Sequence, residues 1–474
     1  MILALTLGAL LVHGYHPWVE DSEIYLPGVE KILHPELFPF GAQFFQSHAH
    51  LTLFPNLIAA SARITHLPFE VLLFVWHLLS IFLLLLACWE LSGRCFTDAR
   101  ARWAGVSLVA ALLTLPVAGT ALYVMDQYLN PRNLNVFATI LAVARVLDRK
   151  YIQAALFLAL AAMIHPLMPA FAASYCVLLV LMPKLKPEFE AAGCLISVGP
   201  LLEAPSPAYH EVAGSRSYLY LIHWEWYEWL GAVAPLAILW WFSRVARSKH
   251  WRNVDLMCHA LVVYGVIYLV AGLALSIPAR FEAIGRLQPM RSLYLLYILL
   301  ILISGGFLGE LVLKGRIWRW LALFAPLCIG MFVAQRALFP ASAHIEWPGA
   351  APRNAWVQAF VWIRNNTPSD AIFALDPHHM EIEGEDENGF RAVAERSMLA
   401  DAVKDSGAVT MFPPMAAEWL KQVQAQSGWK KFGTQDFQRL QSEFGVSWVV
   451  VQQPGVPGLT CPYQNQAVQV CRSN

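Results

Sequence analysis

Residues Val71–Leu91 read VLLFVWHLLSIFLLLLACWEL. This is the run of about twenty apolar residues that a helix needs to cross a bilayer core of about 30 Å. Similar runs fall at about 1–12, 103–124, 134–147, 151–164, 167–182, 190–202, 229–243, 256–276, 292–313 and 317–339, so eleven spans are expected. The first is short, and it lacks the basic n-region and small-residue cleavage site of a signal peptide. The pair 151–164 and 167–182 meets at His165-Pro166, either as two spans or as a hairpin that stops short of the full bilayer.

Composition agrees with the runs. Of 474 residues, 57% are hydrophobic and 14% charged, where a soluble chain carries about 25% charge. An ordinary soluble enzyme, a disordered chain and a collagen-like repeat are excluded. Basic and acidic residues number 33 each, so no net charge draws the chain to nucleic acid. The 18 Trp, 15 Tyr and 26 Phe suit a protein with many side chains at membrane interfaces.

Lys and Arg set the expected sidedness. Alternate connections, including those at Arg94–Arg102, Arg145–Lys150 and Arg244–Arg252, hold fifteen of them, against seven in the other set. The positive-inside rule puts the richer set in the cytoplasm. The loops 13–70, 125–133, 203–228 and 277–291, and everything after 340, then lie outside. The expected fold is mainly α: a polytopic transmembrane helical bundle over 1–339, then a small extracytoplasmic α/β domain over 340–474. In that tail Trp356, Phe360 and Ile363 mark an amphipathic helix, 371–375 and 446–451 read as buried strands, and 414–425 and 434–444 read as helices. Six cysteines sit in or beside spans. Cys461 and Cys471 sit in the tail, either bridged or as free thiols.

Candidate chemistry lies in the outer loops. Glu20-Asp21-Ser22-Glu23 puts three carboxylates within four positions after the first span. Such a group can take a proton from a hydroxyl, hold a divalent cation or mark a helix N-terminus. Ser47-His48-Ala49-His50 offers two imidazoles for a metal or an acidic group, or a hydrogen-bonded loop pair. Asp126 and Arg132-Asn133 flank the next outer loop; Arg132 suits a phosphate or an ion pair with Asp126. His165 is a histidine at membrane depth. Arg286 and Arg291 crowd a short outer loop, where fixed positive charge suits a lipid phosphate or snorkelling. Aromatic residues of 218–229 form an interfacial belt or a sugar-stacking surface. These groups are expected to meet at one end of the bundle.

This layout resembles the GT-C superfamily of membrane glycosyltransferases, whose shared mark is an acidic motif in the first extracytoplasmic loop, here Glu20-Asp21. Arg132-Asn133 opening a helix and His165 at an outer turn also resemble bacterial members. So do Trp362-Ile363-Arg364-Asn365-Asn366-Thr367-Pro368, Gly389-Phe390-Arg391 and Glu395-Arg396-Ser397 in the tail. The resemblance implies an enzyme of the inner membrane that moves a sugar from a polyprenyl-phosphate donor to an acceptor on the outer face. It implies Asp21 as general base with Glu20 second, Arg286, Arg291 and Arg132 on the donor phosphate, and His165 orienting acceptor or leaving group. Asp126, His48 and His50 are the remaining substrate contacts expected. Some members use a divalent cation (Mg or Mn); the residues leave that open, as they do the acceptor. No nucleotide-binding fingerprint is present. Two other classes fit the composition: a non-catalytic membrane scaffold and a lipid or solute transporter.

Overall fold

A computed structural model describes residues 1–184, 206–276 and 285–473. Among these, five helices are long and apolar enough to cross a membrane: Phe69–Cys95, Trp226–Ser248, Arg252–Ser276, Pro289–Leu313 and Ile317–Leu338. Ile2–His13, Tyr151–Ile164 and Leu167–Leu181 are shorter apolar helices. The chain is mainly helical, but eleven spans are not met on length and composition. The run 103–124 departs most. It forms helix Ala99–Ala111, then a hairpin of strands β1 (Pro116–Val117) and β2 (Leu122–Tyr123). Pro116 cannot supply a helical N–H. Gly119 turns the hairpin at φ +62°, and a Cβ there would stand 2.4 Å from the Trp224 ring. The expected span 190–202, with Cys194, lies outside the described residues.

Pro289–Leu313 is the central helix, with 67% of its most apolar stretch buried. It meets Ala99–Ala111 at backbone distance. A Cβ on Gly305 would lie 2.6 Å from the Ala104 carbonyl, and one on Gly309 2.7 Å from Ala101 Cα. Small residues permit this approach, and close packing is what holds helices together in lipid. Ile317–Leu338 is the opposite case: none of its apolar stretch is buried, and Ile317, Leu321, Ile329 and Val333 point outward.

The stretch 13–70 is mostly helical, as Ser22–Leu33, Gln43–Ala49 and Phe54–Thr65. The tail holds strands β3 (Ile372–Leu375), β4 (Ser397–Met398), β5 (Trp448–Gln452), β6 (Tyr463–Gln464) and β7 (Val468–Arg472), in the order β4-β3-β5-β7-β6. β3 runs parallel to β4 and β5; β7 runs antiparallel to β5 and β6. Successive strand residues point to opposite faces. Phe373, Leu375, Trp448 and Val450 pack with Trp356, Phe360 and Ile363 of helix Ala355–Asn366. Ala374, Val449 and Val451 pack with Phe437 and Leu440 of helix Thr434–Phe444. Both faces are covered, which is why β5 reads as an unbroken apolar run. Cys461 and Cys471 are joined by a disulfide.

The apolar layer under helix Ala355–Asn366 continues from the tail into the 13–70 stretch. Trp18, Leu26, Val29, Phe54 and Ile58 belong to the same buried cluster. Backbone hydrogen bonds strap the two stretches together: Tyr15 N–H to His344 O (3.0 Å), Glu346 N–H to Tyr15 O (3.0 Å), Glu20 N–H to Glu387 O (2.8 Å) and Gly389 N–H to Trp18 O (2.8 Å). Gln127 bonds Gln335, Arg216 bonds Ser406, and Gln288 Nε2 lies 3.8 Å from Met411 Sδ. All these segments therefore gather at one end of the bundle.

Candidate functional site

The acidic run Glu20–Glu23 divides where helix Ser22–Leu33 begins. Asp21 occupies the cap position, yet its side chain caps nothing. Ser22 Oγ turns back to Pro17 O at 2.8 Å. Glu23 points into the joint with the tail and is fully buried. Its Oε1 accepts from Arg391 Nη1 at 3.0 Å and its Oε2 from the Arg391 amide at 2.8 Å. Arg391 also binds Asp405 through two bonds of 2.9 and 2.7 Å, and Asp401 lies 3.8 Å away. Three carboxylates thus share one guanidinium. Burial pushes the Glu23 carboxyl up to about 8, against the pull of Arg391, and Asp405 up to about 6.

Glu20 and Asp21 face the other way, into a cavity of about 690 Å³. Its wall includes Tyr25 and His48 from the first loop, the β1–β2 hairpin, Arg216 and Tyr218, Glu228 on helix Trp226–Ser248, Arg291, and Lys404 from the tail. Lys404 Nζ touches Glu20 Oε2 and lies 3.6 Å from Asp21 Oδ1. Arg132 Nη1 stands 4.0 Å from Asp21 Oδ2. The Asp21 amide donates to Tyr128 Oη at 3.2 Å. Arg291 stacks over Tyr218 at 5.7 Å, and its Nε is buried without a hydrogen-bond partner. Arg216 bonds Ser406, and its Nε is likewise unpartnered. Among the described residues no carboxylate lies within ion-pair distance of either arginine. Two guanidiniums with no ion-pair partner among the described residues, in one cavity, suit an anion.

The remaining expected site residues fall at varied depths. His48 lines the cavity, and burial pushes its imidazole down to about 4, so it is neutral at pH 7. Arg132 is buried behind the wall, its Nη2 on Asp126 Oδ2 at 2.5 Å. Asp126 also accepts from Asn130 at 2.6 Å. The Asp126–Arg132 pair therefore closes the 125–133 turn, and neither side chain lines the cavity. His165 ends helix Tyr151–Ile164, buried with Nδ1 unpartnered, outside the wall. Arg286 is half-buried and does not line the cavity, because the turn through Gln288 (φ 49°) and Pro289–Ser292 brings in only Arg291. His50 is exposed on a separate groove with Lys31 and Thr52.

Lys404 and Glu228 were not expected from sequence, and Arg216 only as one basic residue among seven. Lys404 lies between Asp401 and Asp405, Glu228 closes a capping box with Glu225, and Arg216 stands alone, so no local spacing marks any of the three as a cavity group. Among the described residues no group of three or more His, Cys, Asp and Glu is arranged to hold a metal ion. The Glu20–Asp21 pair does not fit a divalent cation either, because the Lys404 ammonium already faces both carboxylates. No protein-family model matches the chain, and no curated protein matches it.

Proposed function

We propose that this chain is a membrane glycosyltransferase that moves a sugar from a polyprenyl-phosphate donor to an acceptor hydroxyl at the extracytoplasmic face of the inner membrane. One observation carries the reading: Asp21, whose carboxylate accepts no hydrogen bond among the described residues, and Arg291, which has no ion-pair partner among them, line the same cavity at the end of an apolar helical bundle. The Cys461–Cys471 disulfide, which persists in oxidising compartments, and the Lys/Arg bias of the opposite connections support the placement outside the cytoplasm.

In the step, Asp21 takes the proton of the acceptor hydroxyl while that oxygen forms its bond to the anomeric carbon. The bond from that carbon to the phosphate oxygen breaks, and the lipid phosphate leaves with the electron pair. Arg291 and Arg216 offset the charge that grows on it, where a low-dielectric wall strengthens their effect. Arg132, held by Asp126, stands behind Asp21 as a fixed positive charge. Tyr218 and Tyr227 give aromatic faces against which a sugar ring can lie.

The test is transfer by the purified protein in lipid nanodiscs supplied with polyprenyl-phosphate sugars, read as release of polyprenyl phosphate. Asp21→Asn is expected to slow release by about 10²–10⁴-fold with an unchanged thermal midpoint. Undiminished release in that variant would remove Asp21 as the base.

A further inference from the structure

The two cavity acids are not equivalent, and a residue from the far end of the chain distinguishes them. We propose that Lys404 is a positioning residue: it takes Glu20 as its counter-ion and so leaves the Asp21 carboxylate free toward the cavity, which makes the tail a part of the reaction site. This rests on the glycosyl-transfer reading above.

The geometry separates the acids. Lys404 Nζ is in contact with Glu20 and 3.6 Å from Asp21. Neither oxygen of Asp21 accepts a hydrogen bond among the described residues; its other cation, Arg132, is 4.0 Å away and committed to Asp126. Glu20 is thus occupied, whereas Asp21 is flanked by positive charge but unbonded. That is the arrangement a base needs: a carboxylate oxygen with its lone pairs free toward the cavity.

Both ends of the Lys404–Glu20 contact are anchored in the same buried cluster. The amide of Lys404 donates to Asp401 Oδ1, as does that of Asp405 at 3.2 Å. Arg391 then ties Asp405 to Glu23, three residues after Glu20. Glu20 itself sits in the left-handed region at φ 58°, its amide bound to Glu387 O. A non-glycine residue stays there only where its surroundings hold it.

Two measurements on the full chain in nanodiscs test this. The first needs no activity: acylation of lysines by acetic anhydride at pH 8, read by peptide mass spectrometry. Glu20→Gln is expected to speed modification of Lys404 by about tenfold relative to the exposed Lys430 and Lys431, because an ion-paired ammonium is poorly nucleophilic. An unchanged ratio overturns the proposal. The second is turnover. Lys404→Met is expected to lower kcat by about 10–100-fold with donor KM unchanged, as displacement of an aligned group does. Lys404→Arg restores most of the rate, and it also serves if the Met variant fails to fold. Wild-type kcat in Lys404→Met, or no rescue by Arg, overturns the role. If Glu20→Gln changes the labelling but the wild type transfers no sugar, the glycosyl-transfer reading falls and takes the role with it. If transfer occurs without the labelling change, only Lys404 falls.

Discussion

Glu20 and Asp21 on one side and Glu23 on the other are neighbours in sequence with opposite fates. The first two face a cavity, part-exposed, with cations near but Asp21 unbonded. Glu23 is sealed in a cluster whose other carboxylates, Asp401 and Asp405, come from the tail. A helix start explains the divergence. Asp21 precedes the first turn, and Glu23 is its second residue, so the chain rotates the two carboxylates apart. One short acidic motif therefore supplies both a reactive group and the fastener that holds it in place. Replacing the fastener should cost stability, and replacing the cavity groups should cost rate.

The largest effect expected on the fastener side is from Arg391→Met. It leaves three buried carboxylates without a cation, a loss of about 3–5 kcal/mol, read as a lowered thermal midpoint of the purified protein. A wild-type midpoint would mean that the cluster does not hold the joint. Glu23→Gln is gentler and depends on pH. The Glu23 carboxyl is raised from 4.5 to about 8 in the folded chain. Its contribution is therefore full below about pH 4.5 and lost as pH rises through 8. Glutamine has no such dependence, so Glu23→Gln should gain stability relative to wild type from pH 5 to 8, on the order of 2 kcal/mol. Comparing the two proteins removes only the contributions independent of Glu23; Asp405, raised to about 6 on the same guanidinium, responds to the substitution, and Asp401, Arg391 and His379 also face the cluster. A flat difference across that range would assign the shared proton elsewhere. The smallest effect separates two arginines five positions apart. Arg291→Ala should raise the donor KM by about tenfold, the weight of a charge-assisted hydrogen bond, while Arg286→Ala should leave it within about twofold, as substitutions away from a site do. Equal effects would move the phosphate site out of the cavity.

What the sequence disclosed follows the range of the interactions. Strands β3 and β5 were legible because both faces are buried and the apolar run is continuous. Helices Ala416–Ala425 and Thr434–Phe444 were legible from their periodicity. The segment 103–124 was misread because an apolar average does not register Pro116 and Gly119, which turn the chain back. The acids of the first loop stood out by density alone. Lys404 did not, since its partner Glu20 is 384 positions away. Arg286 and Arg291 were equal candidates until the left-handed turn at Gln288 showed which one faces inward. The Asp126–Arg132 pairing was one of two open readings, and burial of both side chains decided it.

The bond between Glu23 and the Arg391 amide spans 368 residues. A ribosome adds about 5–20 residues each second, so tens of seconds separate the birth of the two partners. Throughout that interval the acidic loop has no mate, and only a chain extended past residue 405 can provide one. Assembly of this end of the molecule therefore waits for the tail, and a chain terminated before it is left with an open apolar seam that quality-control proteases can recognise.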